Sequence, residues 1–278
     1  MRCLLFPGQG VQRRGMGAGL FSEFPDSTAL ADEILGYSIE ELCTRDPDRK
    51  LRDTRYAQPA VFVVNALAGR RQIAGQPDGY RFFAGHSLGE YNALVAAGVL
   101  GFEAALRLVK RRGELMADIT GGGMSAVQGV PAAFVQRALR ETGLTNVHVA
   151  NFNADTQTTI AGDRVEVAVA AKAIGTLPGA RVVPLNVSGP FHTPLMTPVE
   201  SALRALLESS EFAPGDGTVV SSVTGEVFPP DEGTDLLARQ VSRPVEWVRA
   251  VATLRASGVT HFDEVNGSTL SALVSRIH

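Results

Sequence analysis

The stretch Phe83-Ala84-Gly85-His86-Ser87-Leu88-Gly89-Glu90-Tyr91 decides the fold. Tyr80 to Ala84 is short and aromatic, as a buried strand is, whereas Leu88 to Val99 repeats Leu, Ala and Val at helical spacing. Between them stands Gly-x-Ser-x-Gly. A strand that turns straight into a helix leaves no room for Cβ atoms beside the turn, and Gly85 and Gly89 supply that room. Ser87 then projects at a helix N-terminus, where unpaired backbone N–H groups favour developing negative charge. A glycine-rich turn whose serine only caps a helix is the alternative, since 29 of 278 residues are glycine. The flanking strand and helix are the context a nucleophile requires.

Around this turn, 45% apolar and 20% charged residues describe a globular, enzyme-sized chain with a substantial core. The length allows one large domain, or a large one carrying a smaller one. A net charge of −3 argues against a nucleic-acid surface. No apolar run approaches the roughly 20 residues of a membrane span, and no secretion signal opens the chain. Cys3, in an expected core strand, and Cys43, in an expected helix, form neither a disulfide framework nor a metal cluster, which suits a reducing cytoplasm.

Upstream, Cys3-Leu4-Leu5-Phe6 reads as a buried strand entering the loop Pro7-Gly8-Gln9-Gly10-Val11-Gln12. Such a loop exposes backbone N–H groups, and Ser87 needs an oxyanion donor; an ordinary strand-to-helix turn is the alternative. Helices are expected over Pro25 to Leu35, after the capping box Ser38-Ile39-Glu40-Glu41, and from Pro59, with Asp46-Pro47-Asp48 as a loop between the last two. Gln58 then caps the third, with Pro59 at its first position, and is a candidate wall of the site.

Downstream, Phe102 to Asp118 reads as a helix on which Ala105, Leu108, Val109 and Met116 form one apolar stripe. Arg112 falls on that stripe; Lys110 and Arg111 point elsewhere. A guanidinium on an apolar face needs an anion. That anion is either an internal carboxylate or the carboxylate of a substrate, which the planar fork matches bidentately.

After Gly121-Gly122-Gly123 the periodicity runs strand, helix, strand, strand, helix, strand: 124–130, 131–141, 147–151, 158–161, 165–174 and 180–185. This is the ferredoxin-like order, expected to form a small domain over residues 123–187 inserted into a large α/β domain of 1–122 and 188–278. The large domain resumes at Ser188-Gly189-Pro190-Phe191-His192-Thr193-Pro194, with helix starts at Thr193-Pro194 and at the capping box Thr197 to Glu200. Of five histidines, His192 stands best as the base a serine nucleophile needs. No Asp or Glu offers itself as a third member, and a backbone carbonyl, such as one near Gln240, could orient the imidazole instead. Pro244-Val245-Glu246-Trp247, a helix from Trp247, a strand Val259 to Val265 and a helix from Ser268 close the chain.

The chain resembles the malonyl-CoA:acyl carrier protein transacylase family over essentially its whole length. The resemblance rests on Gly8-Gln9-Gly10-x-Gln12, Gly85-His86-Ser87-Leu88-Gly89-Glu90, Arg112-Gly113, Pro190-Phe191-His192, and Gln240 ahead of Pro244-Val245-x-Trp247. It implies an α/β-hydrolase-like catalytic domain with an elbow serine, plus the small ferredoxin-like domain. It implies that Ser87 is acylated, that His192 is the base, and that Gln9 and Leu88 give oxyanion-hole N–H groups. Arg112 would hold the malonyl carboxylate and Gln240 would orient His192 through its carbonyl. Asn151 and Asn153 fall in the family's Asn-rich segment lining the cleft, and His86, Asn153, Gln58 and Phe191 are candidate substrate-binding positions.

Malonyl-CoA and a separate acyl carrier protein, or a polyketide synthase carrier domain, are the implied partners. No cofactor or metal is implied beyond the coenzyme A thioester itself. Phe191 stands where methylmalonyl-selective members usually have serine, which favours malonyl. The Asp46-Pro47 loop and the Thr54 to Asn65 stretch resemble the discrete, trans-acting acyltransferases of polyketide synthases. A housekeeping role in fatty-acid synthesis uses the same residues. Two other readings stay open: a serine hydrolase clearing acyl groups from carriers, against which Arg112 argues, and a catalytically silent docking module.

Departures from the family pattern are Val265-Asn266-Gly267-Ser268 in place of Gly-Pro-Gly, and Asp155-Thr156-Gln157 where Pro-Gly-Gln is common. Arg13, Arg14, Lys110 and Arg111 are either solvated charges or a surface for an acidic carrier.

Overall fold

The computed structural model describes residues 1–76, 79–187 and 189–278. Ser188, where the second large-domain segment is expected to begin, lies outside the described residues. Two sheets organise the chain. Strands β1 (Arg2–Phe6), β2 (Phe82–Gly85), β7 (Thr218–Val220) and β8 (His261–Glu264) form a parallel sheet of order β7-β2-β1-β8. Strands β3 (Gly122–Gln128), β4 (Val147–Ala154), β5 (Gln157–Asp163) and β6 (Arg181–Pro184) form an antiparallel sheet of order β4-β5-β3-β6.

Cys3, Leu4, Leu5 and Phe6 are buried because helices cover both faces of a parallel sheet, so a continuous apolar run suits its central strand. Parallel pairing in register, with Phe6 opposite Gly85, brings the carboxyl ends of β1 and β2 out together. The loop after β1 and the turn after β2 therefore emerge side by side. His86 N–H donates to Phe6 O (3.1 Å), tying them. Asn65 Nδ2 donates to Pro7 O (2.9 Å), turning the loop that carries Gln9 toward Ser87.

The elbow glycines are required by contact. A Cβ at Gly85 would stand 1.9 Å from Gly89 C, and one at Gly89 would stand 2.0 Å from Phe6 O. Ser87 itself takes the left-handed region (φ 52°), a conformation costly for a side-chain-bearing residue and held here by packing on both sides.

The helix Phe102–Ala117 buries Ala105, Leu108, Val109, Arg112 and Met116, the expected stripe with its arginine included. It lies close against the helix Thr54–Ala74 at Gly113, where a Cβ would meet Thr54 O at 3.1 Å. That approach brings Gln58 to Arg112.

Several local expectations change. The third helix begins at Thr54, capped by the Asp53 carboxylate, so Pro59 sits inside it and Gln58 is no cap. Every residue from Ala57 to Gly69 is buried, and that burial outweighs the roughly 3 kcal/mol a proline costs within a helix. The capping box at Thr197 does not form: Met196 is the N-cap with no side-chain cap bond, and Thr197 Oγ1 donates back to Pro194 O (2.6 Å). A short 3-10 turn, Pro194–Met196, precedes that helix. Strand β7 has only three residues, too few for a periodicity to register.

The antiparallel sheet has its own core, including Val127, Val135, Leu139, Ile160, Val167 and Ile174, under the helices Ala132–Thr142 and Arg164–Ile174. Its edge strand β4 is joined to the rest of the chain by main-chain bonds: Val245 N–H donates to Ala150 O and Phe152 N–H to Val245 O, both at 2.9 Å. This linkage sets Asn151 and Asn153 beside the elbow.

Candidate active site

A cavity of about 600 Å³ opens between the two sheets, and Gln9, Gln58, His86, Ser87, Leu88, Arg112, Asn151, Asn153, Phe191 and His192 line it. Of the candidate residues only Gln240 is not in its wall; it lies beneath, fully buried.

Ser87 Oγ is 2.8 Å from His192 Nε2. The other ring nitrogen, Nδ1, faces two carbonyl oxygens, Gln240 O at 2.8 Å and Arg243 O at 3.2 Å. Carbonyls only accept, so Nδ1 carries the proton and Nε2 presents its lone pair to the serine hydroxyl. His192 is 5% exposed and, like Ser87, has a positive φ (62°). Burial, and next the Arg112 charge, push its pKa down to about 3, so the ring is neutral at pH 7.

Arg112 is 1% exposed. Nη1 donates to Gln58 Oε1 (2.7 Å), and Nη2 to Gln240 Oε1 (2.9 Å) and Ser87 Oγ (3.1 Å). Nε has no hydrogen-bond partner among the described residues. Among the described residues no carboxylate lies within ion-pair distance of it, so the internal Arg–Glu pair weighed from the helical wheel is not the arrangement found. A buried guanidinium held by neutral groups retains its capacity for an anion.

The backbone N–H groups of Gln9 and Leu88 donate to no protein acceptor among the described residues, while the N–H groups of Gly89, Glu90 and Tyr91 are spent inside the elbow helix. The Gln9 side chain donates to Thr54 Oγ1 (3.1 Å) and accepts from Gln58 Nε2 (3.3 Å). His86 Nε2 is 2.8 Å from Asn153 Oδ1, and its ring packs against Trp247. The buried Phe191 ring leaves no space for a Cβ at Gly189, which would lie 2.3 Å away.

One residue in contact with the site was not singled out in the sequence for a role. Glu90 is fully buried and accepts from Gln240 Nε2 (2.5 Å) and from Ser222 Oγ (2.6 Å). An acidic residue on an apolar helix, one turn beyond the elbow serine, is the signal that marks it. Of the four basic residues considered for docking, Lys110 donates to Ile34 O and Arg111 pairs with Glu114, while Arg13 and Arg14 stand exposed at the cavity mouth. Among the described residues no cluster of three or more His, Cys, Asp or Glu could hold a metal ion, and no helix is long and apolar enough to cross a membrane.

Comparison with known proteins adds four findings. The acyl transferase domain family matches residues 3–266. The polyketide biosynthesis malonyl CoA-acyl carrier protein transacylase PksC of Bacillus subtilis is 42% identical over 275 residues, which cover 98% of this chain and 96% of that protein. Among solved structures, the malonyl CoA-acyl carrier protein transacylase of Burkholderia pseudomallei superposes with a TM-score of 0.94 at 38% identity, covering 100% of this chain and 97% of the other. A malonyl-transacylase solved in complex with its type II polyketide synthase acyl-carrier protein superposes with a TM-score of 0.93 at 35% identity, covering 99% and 92%.

Proposed function

The chain belongs to the acyl transferase domain family, and from that premise we propose how it transfers malonyl groups from coenzyme A to the phosphopantetheine thiol of an acyl carrier protein. The observation that carries the reading is a serine hydroxyl held between a neutral imidazole Nε2 at 2.8 Å and a buried guanidinium Nη2 at 3.1 Å. Malonyl is short: its carboxylate stands only two carbons from the thioester carbonyl. A guanidinium in contact with the nucleophile is therefore within reach of that carboxylate when the carbonyl is in position for attack.

In this reading Ser87 Oγ attacks the malonyl thioester as its proton passes to His192 Nε2. The Gln9 and Leu88 N–H groups hold the oxyanion, each worth about 3 kcal/mol. The tetrahedral intermediate collapses, the carbon–sulfur bond breaks, and His192 returns the proton to the departing coenzyme A sulfur. The carrier thiol then gives its proton to His192, attacks the seryl ester and leaves as malonyl thioester, with Ser87 reprotonated. Gln240 O keeps Nδ1–H in place throughout, and Arg112 holds the carboxylate in both half-reactions. The transfer needs no cofactor, because the thioester carries its own activation.

We assign residues 1–122 and 188–278 to the catalytic domain and 123–187 to the inserted one, with Asn153 and His86 at the cleft between them. The polyketide relatives favour a discrete enzyme serving a polyketide synthase. Buried, unpaired Cys3 and Cys43 suit the cytoplasm. The Phe191 ring in the cavity wall leaves less room for an α-branch than a small side chain would, which favours malonyl over methylmalonyl.

Brief exposure to malonyl-, methylmalonyl- and acetyl-CoA in competition, read by intact-protein mass spectrometry, tests the reading. A malonyl adduct that dominates and is discharged by a holo carrier protein supports it; free acid from every thioester with no adduct transferable to the carrier supports a hydrolase instead.

The depressed basicity of His192 carries a pH signature. Its neutral form persists below the ordinary histidine value of about 6.5, so kcat/KM for malonyl-CoA should show no loss through pH 6.5 and should fall only as the pH drops toward about 3. Once the malonyl carboxylate offsets Arg112, one depressing influence is gone, so the acid limb of kcat should lie at higher pH than that of kcat/KM. Coincident limbs near 6.5 would contradict the assignment.

A further inference from the structure

Arg112 is the buried cation of the site, and Glu90 is a buried carboxylate that the mechanism above does not use. One side chain stands between them. Gln240 Oε1 accepts from Arg112 Nη2 at 2.9 Å, while Gln240 Nε2 donates to Glu90 Oε2 at 2.5 Å and to Ser87 O at 3.1 Å. The orientation of this carboxamide is dictated by its neighbours: a guanidinium can only donate, and the Ser87 carbonyl can only accept. Nε2 must therefore face Glu90, whose Oε2 accepts from it. Oε1 accepts from Ser222 N–H (3.2 Å), and Ser222 Oγ stands 2.6 Å from Oε2. Burial pushes the Glu90 carboxyl up, and the hydrogen bonds that Ser222 and Gln240 give its two oxygens draw it back toward the anion.

We propose that Glu90 is the counter-ion of Arg112, coupled to it through the Gln240 carboxamide, and that it sets how strongly the site selects an acyl group bearing a carboxylate. The proposal rests on the reading of Arg112 as the carboxylate fork. A guanidinium alone in a dry site binds any anion tightly and is costly to bury; a carboxylate in direct contact would occupy the fork. One carboxamide placed between the two charges balances the guanidinium without putting a carboxylate in direct contact with it. The same Gln240 gives its main-chain oxygen to His192, so base and fork share one anchor. Glu90 acts through Gln240 and is a positioning residue.

Binding in the Ser87→Ala background, where no acylation occurs, isolates this role. Calorimetry with malonyl-CoA and acetyl-CoA compares Ser87→Ala with Ser87→Ala/Glu90→Gln and Ser87→Ala/Arg112→Ala. Removing the counter-ion should tighten malonyl-CoA about tenfold and leave acetyl-CoA within about twofold, because only the former carries a charge for the unbalanced guanidinium. A Glu90 with a merely structural role moves both ligands alike. If Arg112→Ala erases the preference for malonyl-CoA and Glu90→Gln leaves it unmoved, the proposal is overturned while the fork stands. If Arg112→Ala leaves the preference intact, the fork reading fails and the proposal with it. Should Glu90→Gln not fold, Ser222→Ala takes its place. Loss of the Ser222 hydroxyl raises the proton affinity of Glu90, so the malonyl preference must rise in the same direction as the pH is lowered, and an unchanged preference overturns the proposal.

Discussion

Ser87→Ala should take up no malonyl group, and its carrier-dependent transfer should fall by on the order of 10⁶-fold. The hydroxyl is the one group placed against both His192 Nε2 and Arg112 Nη2, and no other hydroxyl lies within hydrogen-bonding distance of His192 Nε2 among the described residues. His192→Ala should fall nearly as far, since a serine without its base is a poor nucleophile, and the double variant should be no slower than either single one. That non-additivity is the sharper part of the result, because two independent residues would multiply. The Gln9 and Leu88 N–H groups remain in all three proteins, so a residual acceleration of about 10³-fold over water is expected. Intact mass after malonyl-CoA and steady-state transfer rates decide it; a malonyl adduct surviving in Ser87→Ala would move the nucleophile elsewhere.

Arg112→Met should lower kcat/KM for malonyl-CoA by on the order of 10²- to 10³-fold, while acetyl-CoA stays within about threefold. Methionine keeps the length of the buried stem and removes the fork. It also leaves Glu90 as an uncompensated negative charge, which opposes an incoming carboxylate. The cost to folding comes from Gln58 Oε1 and Gln240 Oε1, which lose their donors, and amounts to about 2–4 kcal/mol. A second readout checks the electrostatics independently of folding. The Arg112 charge depresses His192, so its removal should raise the His192 pKa and move the acid limb of acetyl-CoA turnover to higher pH. Equal losses for both thioesters with an unmoved limb would mark Arg112 as a structural residue.

The two residues that carry these predictions, Ser87 and Arg112, differ in how they could be read. Ser87 announces itself locally, because a strand, a glycine, a serine, a glycine and a helix fit one another within ten residues, and steric exclusion of Cβ atoms is a local matter. Arg112 announces itself through periodicity: a cation at a core position is anomalous whatever it touches. The ferredoxin-like order of the small sheet was legible for the same reason, since alternation of period 2 and period 3.6 is written along the chain.

Where local rules compete with packing, the sequence reading fails. A proline beside a polar residue resembles a helix start, yet Pro59 lies inside a helix that begins at Thr54, because the burial of Ala57 to Gly69 outweighs the lost hydrogen bond. Thr197 to Glu200 has the letters of a capping box, yet the chain arrives there in a 3-10 turn and Glu200 instead accepts from the Ser242 hydroxyl.

By itself the sequence determined the elbow, the alternation of elements and the presence of one charge on an apolar stripe, all properties of residues within a few turns of each other. Only the tertiary structure decided what that charge meets. Ser87 and His192 are 105 residues apart, Arg112 and Gln240 128, and Glu90 and Gln240 150. Periodicity carries no information over such separations; parallel pairing of β1 with β2 and the anchoring of β4 on Val245 fix which loops converge. The placement of a neutral carboxamide between a buried cation and a buried anion follows from that convergence alone.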